Sequence, residues 1–308
     1  MTKIEADSAC YIKLGQSGEW EEECLRDGTL RLGYHDLPHE RCLQGAWEEI
    51  RAAYPTSANR GAVTRHINQV QQFYCEPVST LWVTFFANKL WWCFADAEVT
   101  QLNDLTKIRR VVDQWRDTDV LGDQLLKGRL SGKLLAVQGY QGTICAVREH
   151  EYLLHKLNGT MEPHVAIAQA AAERLVHSLM PIVKNLHPKD LETLVDLIFR
   201  QGGWQRTGVA GEVERDIDLD LLSPITQERI AVQVKSRASL ATFVHYQERF
   251  ALMGGFSRFY FVTHSPDPRL VHAAAVASDP SFVFWGIEEL AEQAVRHGLL
   301  GWLIDRAS

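Results

Sequence analysis

The chain has 308 residues, 46% of them hydrophobic, which is length enough for two domains and apolar material enough for a core in each. Its net charge is −7 and neither part hides a basic surplus: residues 186–308 hold 12 Lys+Arg against 16 Asp+Glu, and the remainder 20 against 23. That balance excludes a nonspecific cationic coat for nucleic acid, so any DNA contact has to be local or assisted by metal ions. No apolar run reaches membrane-spanning length and no leader pattern opens the sequence, so a cytoplasmic protein without membrane contact is expected. The six cysteines all precede residue 146 and form no CxxC pair, and the twelve histidines are scattered, so reduced thiols and no zinc site are expected.

In chain order, "CYIKLG" and "TLRLGY" read as strands on either side of the polar "QSGEWEEECLRDG". "KLGQSGEW" (13–20) has two glycines but lacks the GxxxxGK[ST] pattern of a phosphate loop, and reads as a turn. "AVTRHINQVQQFYC" has helical apolar spacing, and "STLWVTFFANKLWWCFADAEV" reads as two strands joined at Ala87-Asn88-Lys89. "GKLLAVQGYQGTICAV" adds short, Gly-punctuated β segments. Residues 1–160 are therefore expected to form a β-rich α+β domain, and the Ala-rich amphipathic stretch 161–185 a connecting helix.

Beyond 186, helical "HPKDLETLVDLIFRQ" stops at Gly202-Gly203, and strand-like "WQRTGVAG" follows. Then come the segment "ERDIDLDLLSPITQERIAVQVKSR" (214–237), a helix through "SLATFVHYQERFALMGG", a strand "RFYFVTH", a helix "PRLVHAAAVA", a strand "FVFWG" and a final helix from Ile287. Such alternation predicts an α/β sandwich around a mixed sheet for residues 186–308.

Segment 214–237 carries the chemistry. With its turn centred between Ile225 and Thr226, antiparallel partners have numbers that sum to 451, so Ile217 faces Val234, Leu219 faces Val232 and Leu221 faces Ile230. The same register sets Asp218 opposite Gln233 and Asp216 opposite Lys235 on the other face. Carboxylate, amide and ammonium on one face suit metal-assisted phosphodiester hydrolysis: oxygen ligands for Mg²⁺ or Mn²⁺, and a cation for the charge that builds on phosphate. The bland alternative is a solvated hairpin face, but Asp is a poor strand former and three in one strand call for a reason.

These residues resemble the PD-(D/E)xK nuclease superfamily, and within it the Mrr-like restriction endonucleases. The resemblance rests on Glu192 in "DLETLVDLIF", Asp218 in "DIDLDL", and Gln233 and Lys235 in "VQVKS", over residues 186–265. It implies a restriction-endonuclease-like fold with Asp218, Gln233, Lys235 and Glu192 as the catalytic set. Asp218, Gln233 and Glu192 would be the metal ligands, with Asp216 as a further candidate acid. It also implies action on foreign or base-modified DNA such as that of phage; because one such site cuts one strand and a double-strand break needs two, a homodimer is expected.

Nine tryptophans are many, and "LWVTFFANKLWWCF" holds three. Aromatics favour strands, so core and rim of a small β domain is the plain reading. The sharper reading is an aromatic wall of Trp82, Trp91 and Trp92 for a base flipped out of the duplex. The stretch faintly resembles PUA-like or EVE-like domains, some of which read modified bases. Arg237 and Arg258 are candidate phosphate contacts, while His264 reads as a packed residue. The expectation is a metal-dependent DNA endonuclease whose N-terminal domain selects the target. The alternatives are a non-catalytic nucleic-acid or protein-binding module on a nuclease-like fold, and a nuclease for RNA or single strands.

Overall fold

The computed structural model describes residues 3–54, 60–207, 217–276 and 279–307. The chain divides into two compact units, Met1–Pro163 and His164–Ser308.

The first unit is built on a six-stranded mixed sheet. Its strands are β1 (Ser8–Ile12), β2 (Thr29–Leu32), β3 (Thr80–Phe86), β4 (Lys89–Gln101), β5 (Lys107–Val111) and β6 (Ile144–Ala146), in the order β2-β5-β4-β3-β1-β6. β1 runs parallel to β3, and the other neighbours are antiparallel. Ala87 and Asn88, at φ 49° and 63°, make the two-residue turn between β3 and β4, whose backbone twist matches that of the strands it joins. Alternation then sends Trp82 and Cys93 to a core shared with Phe73 of the helix Arg60–Cys75, while Val83 and Trp92 join Tyr11 and Phe85 in a second core across the sheet. A sheet buried on both faces accounts for the density of aromatics. Arg109, fully buried, donates to the carbonyl oxygens of Asp96, Phe73 and Ala95, so its cost of burial is offset by hydrogen bonds.

One expected feature of this unit is replaced. Residues 132–139 form a helical turn and a 3-10 turn rather than β segments, and only Ile144–Ala146 is a strand. The Ser131 side chain caps that turn by accepting the Leu134 N–H at 3.2 Å, a local signal that outweighs the apolar run.

In the second unit the strands β7 (Gln205–Arg206), β8 (Leu219–Leu222), β9 (Arg229–Ala238), β10 (Arg258–Pro266) and β11 (Phe282–Trp285) lie in the order β11-β10-β9-β8-β7. β9, β10 and β11 are parallel, and β7 and β8 are antiparallel to their neighbours. Ile230, Val232 and Val234 pack with Leu194, Val195 and Ile198 of the helix Pro188–Gln201 and with Leu290 and Ala294 of the helix Ile287–Arg296. Leu179 and Val183, from the C-terminal half of the helix Pro163–Lys184, share that core. On the opposite face Ala231, Phe259 and Phe261 pack with Phe243 and Tyr246 of the helix Leu240–Leu252. The result is the expected α/β sandwich, with helices on both faces of a mixed sheet. Among the described residues, no helix is long and apolar enough to cross a membrane.

Candidate active site

The β8–β9 hairpin has the register that its pattern requires. Leu219 pairs with Val232, and Leu221 with Ile230. The turn is closed by Ser223 N–H to the Glu228 carbonyl at 2.8 Å and Gln227 N–H to the Ser223 carbonyl at 2.9 Å. Gln227 takes the left-handed conformation, φ 59°, that lets the chain reverse.

The expected pairing of Ile217 with Val234 does not form. β8 starts only at Leu219, and Ile217 packs with the cluster of Ala231 and Phe243, on the other side of the sheet from Val234. The cause is Asp218. Its own N–H reaches the Val232 carbonyl at 3.0 Å, and its side-chain Oδ2 accepts the Val234 N–H at 2.7 Å. A carboxylate thus takes the place of the backbone acceptor at the point where the ladder ends. The Gln233 side-chain amide, 2% exposed, donates to the same oxygen.

The strand's aspartates therefore have different roles. Asp220 is held by Arg229 through Nε to Oδ1 at 2.9 Å and Nη2 to Oδ2 at 2.5 Å, and these hydrogen bonds lower its pKa. Asp218 is raised above the ordinary carboxylate value, because burial outweighs the Val234 N–H, the Lys235 charge, the Gln233 amide and the Arg206 charge. Arg206 Nη2 also donates to the Asp218 backbone carbonyl at 2.9 Å, fixing the residue from the β7 side. Asp216, the further candidate acid, lies outside the described residues.

Lys235 stands two residues beyond Gln233 on β9, half-buried, with its ammonium 5.8 Å from the centre of the Tyr246 ring. It makes no ion pair with an acidic side chain among the described residues. Arg237 is exposed further along the strand. Glu192 is exposed on the helix Pro188–Gln201, and its side chain makes no hydrogen bond or ion pair among the described residues. Its helix packs on the Val232–Val234 side of the sheet, whereas Lys235 faces Tyr246 on the other. Arg258 pairs with Glu228 at 3.5 Å, and His264 is buried, with Nδ1 2.8 Å from Ser265 Oγ and a pKa lowered by burial.

The three tryptophans proposed as a base platform do not form one. Trp82 is wholly buried beneath the Arg109 guanidinium, and Trp92 is 5% exposed, with its indole N–H on the Thr118 carbonyl at 2.8 Å. Only Trp91 is partly exposed, and it packs on the first core. An indole enclosed by protein has no face left for a base.

Can the residues present hold a divalent cation? Asp218 Oδ1 and Gln233 Oε1 accept no hydrogen bond among the described residues, which leaves both oxygens available to a cation. No group of three or more His, Cys, Asp or Glu side chains converges among the described residues. Mg²⁺ commonly takes one or two carboxylates and completes its shell with water and substrate phosphate, so this donor set fits in kind.

No family model matches the chain, and no curated protein sequence does. Among solved structures the chain is similar to the DNA modification-dependent restriction endonuclease AspBHI, at 12% identity and a TM-score of 0.33, over 91% of this chain and 79% of that one. Likeness at this level fixes no residue correspondence, so the reading of the site rests on the geometry of Asp218, Gln233 and Lys235.

Proposed function

We propose that the protein is a metal-dependent DNA endonuclease directed at foreign or base-modified DNA, with Asp218, Gln233 and Lys235 as its catalytic group. The observation that carries this reading is the desolvated Asp218 carboxylate, tied to Gln233 and Val234 on one oxygen and open on the other, with the Lys235 charge beside it. Asp218 Oδ1 and Gln233 Oε1 would hold Mg²⁺ or Mn²⁺, which polarises the scissile phosphate and lowers the pKa of water. Gln233 and the Val234 N–H fix the Asp218 carboxylate, so its free oxygen needs no reorganisation as the reaction proceeds. The Lys235 ammonium, unpaired with any acid among the described residues, offers its charge to the phosphate oxygens as negative charge builds on them.

The test is incubation of the purified protein with unmodified and base-modified phage DNAs, with Mg²⁺, with Mn²⁺ and with EDTA. Cleavage of at least one DNA, abolished by EDTA and by Asp218→Asn, is the expected result. Cleavage at the wild-type rate by Asp218→Asn, or none on any substrate, overturns the proposal.

A further inference from the structure

The first unit contains a cavity of about 660 Å³ that the nuclease chemistry does not use. That volume lies within the roughly 300–1,000 Å³ typical of small-ligand pockets. Four segments distant in sequence enclose it: the 13–20 stretch after β1, Gly33–His35 after β2, the first turns of the helix Arg60–Cys75, and residues 141–143 before β6. The stretch "KLGQSGEW", a bare turn in the sequence, is thus one wall of the cavity.

The walls are built, not incidental. Gln69 is 3% exposed, and its Oε1 accepts the N–H groups of Thr143 and of Ile144 (3.1 Å), while its Nε2 donates to the Arg65 carbonyl at 3.0 Å. This pins the 141–143 loop to the helix. A Cβ at Gly142 would run into the Gln69 amide and the Tyr140 ring, so a larger residue there would have to displace them. On the opposite wall the Arg31 guanidinium lies 4.6 Å from the Trp20 ring centre and is itself held by Glu23 and Asp104, which fixes the indole.

The chemistry of the lining is selective. Trp20 and Tyr34 are aromatic, and the His66 imidazole stands edge-on to Tyr34 at 5.7 Å. Such groups suit a planar heterocycle. No Ala, Val, Leu, Ile or Met is among the described lining residues; what is not aromatic or glycine offers hydrogen bonds or charge, as Gln16, Ser17 and Gln141 do. Lys13 and Arg65 add two cations against the single carboxylate of Glu19, in a chain of net −7. Aromatic faces, hydrogen-bonding walls and a local cationic surplus match a base with its flanking phosphates.

We propose that this cavity takes a single nucleobase turned out of DNA, and that it favours a base carrying a hydrogen-bonding substituent over one carrying a bare methyl. The proposal rests on the reading of the chain as a DNA endonuclease and adds the feature that it selects. A methyl group would find no aliphatic slot here, whereas a hydroxyl or sugar substituent meets amide and hydroxyl partners.

The test uses full-length Asp218→Asn protein in EDTA, so that the DNA stays intact, and fluorescence anisotropy on four duplexes. These differ at one cytosine: unmodified, 5-methyl, 5-hydroxymethyl and glucosylated 5-hydroxymethyl. At least tenfold tighter binding of a hydroxymethyl or glucosylated duplex than of the other two is expected. Gln141→Trp, which fills the cavity from an exposed loop, and the exposed pair Arg65→Ala/His66→Ala are each expected to erase that preference with an unchanged melting temperature. Equal affinity for all four duplexes, or a preference that survives Gln141→Trp, overturns the proposal. So does competition by free 5-hydroxymethyl-dCMP at the affinity of the duplex, which would make the cavity a nucleotide site. Equal affinities alongside Asp218-dependent cutting sink the pocket and keep the nuclease. A preference lost in Gln141→Trp, in a protein that cuts equally well without Asp218, does the reverse.

Discussion

Oδ2 of Asp218 accepts the backbone N–H of Val234 at 2.7 Å, so the candidate metal ligand is also the last hydrogen-bond acceptor of the β8–β9 ladder. Asp218→Ala is expected to abolish cleavage and, in addition, to destabilise the second unit by about 1–3 kcal/mol, the cost of a buried donor left without a partner. Asp218→Asn keeps an acceptor for Val234 and is expected to lose the activity without that loss of stability. Urea unfolding of both variants beside a plasmid-nicking assay checks this; two variants equally stable would disprove the structural role.

Burial raises the Asp218 pKa, which fixes the sign of a pH effect. The folded state favours the neutral acid, so the stabilising contribution is full below the unfolded value of 3.8 and is lost as pH rises through the folded pKa. Without divalent metal, Asp218→Asn is therefore expected to melt above the wild type at pH 8, with the gap closing towards about pH 4. A wild type that melts above the Asn variant at every pH would reverse the assignment.

Lys235 and Glu192 separate the geometry from the motif. Lys235→Ala is expected to lower the cleavage rate by roughly a hundredfold or more, as removal of a charge that acts in the transition state does. Glu192→Ala is expected to cost at least tenfold less, since Glu192 is exposed and touches nothing at the site. Single-turnover rates at saturating DNA decide the order, and a larger loss at Glu192 would restore it to the catalytic set.

Trp82 is the core of the first unit and not a recognition residue. Trp82→Ala is expected to destabilise that unit by roughly 3–5 kcal/mol, with the broad loss of all binding that unfolding brings. Circular dichroism and thermal melting of the variant measure it. A stable variant that loses only base preference would return Trp82 to a stacking role.

A single group of this kind cleaves one strand, and a symmetric dimer is the commonest way to place two. Analytical ultracentrifugation with and without a cognate duplex is expected to show a 2:1 assembly. Monomers at every concentration, with double-strand cuts still made, would refute that.

The hairpin was legible because its two faces obey one parity: only the register that pairs Leu219 with Val232 also sets Asp218 beside Gln233. Parity could not show that Asp220 is neutralised by Arg229, or that Ile217 leaves the strand, because both depend on side chains competing for the ladder's end. In the aromatic stretch the composition was informative and the location misled. Trp82 and Trp92 face two cores because β3 and β4 lie at the centre of a sheet covered on both sides. The cavity left no local signature at all. Its walls come from residues 13–20, 33–35, 65–69 and 141–143, which only the parallel pairing of β1 with β3 and the docking of β6 bring together.

That parallel pairing has a consequence for biosynthesis. Ser8 meets Thr80 and Cys10 meets Ala146, so β1 has no partner on either edge until some seventy residues after it have left the ribosome, and none on its second edge until nearly twice as many have. The β3–β4 hairpin, closed by two residues, can form at once and offers the nascent chain its template. Until then the buried run Ala9-Cys10-Tyr11-Ile12 is an open, apolar strand edge. Slow translation through residues 13–79 would prolong that exposure, and the yield of soluble protein should depend on elongation rate across this interval more than across the second unit.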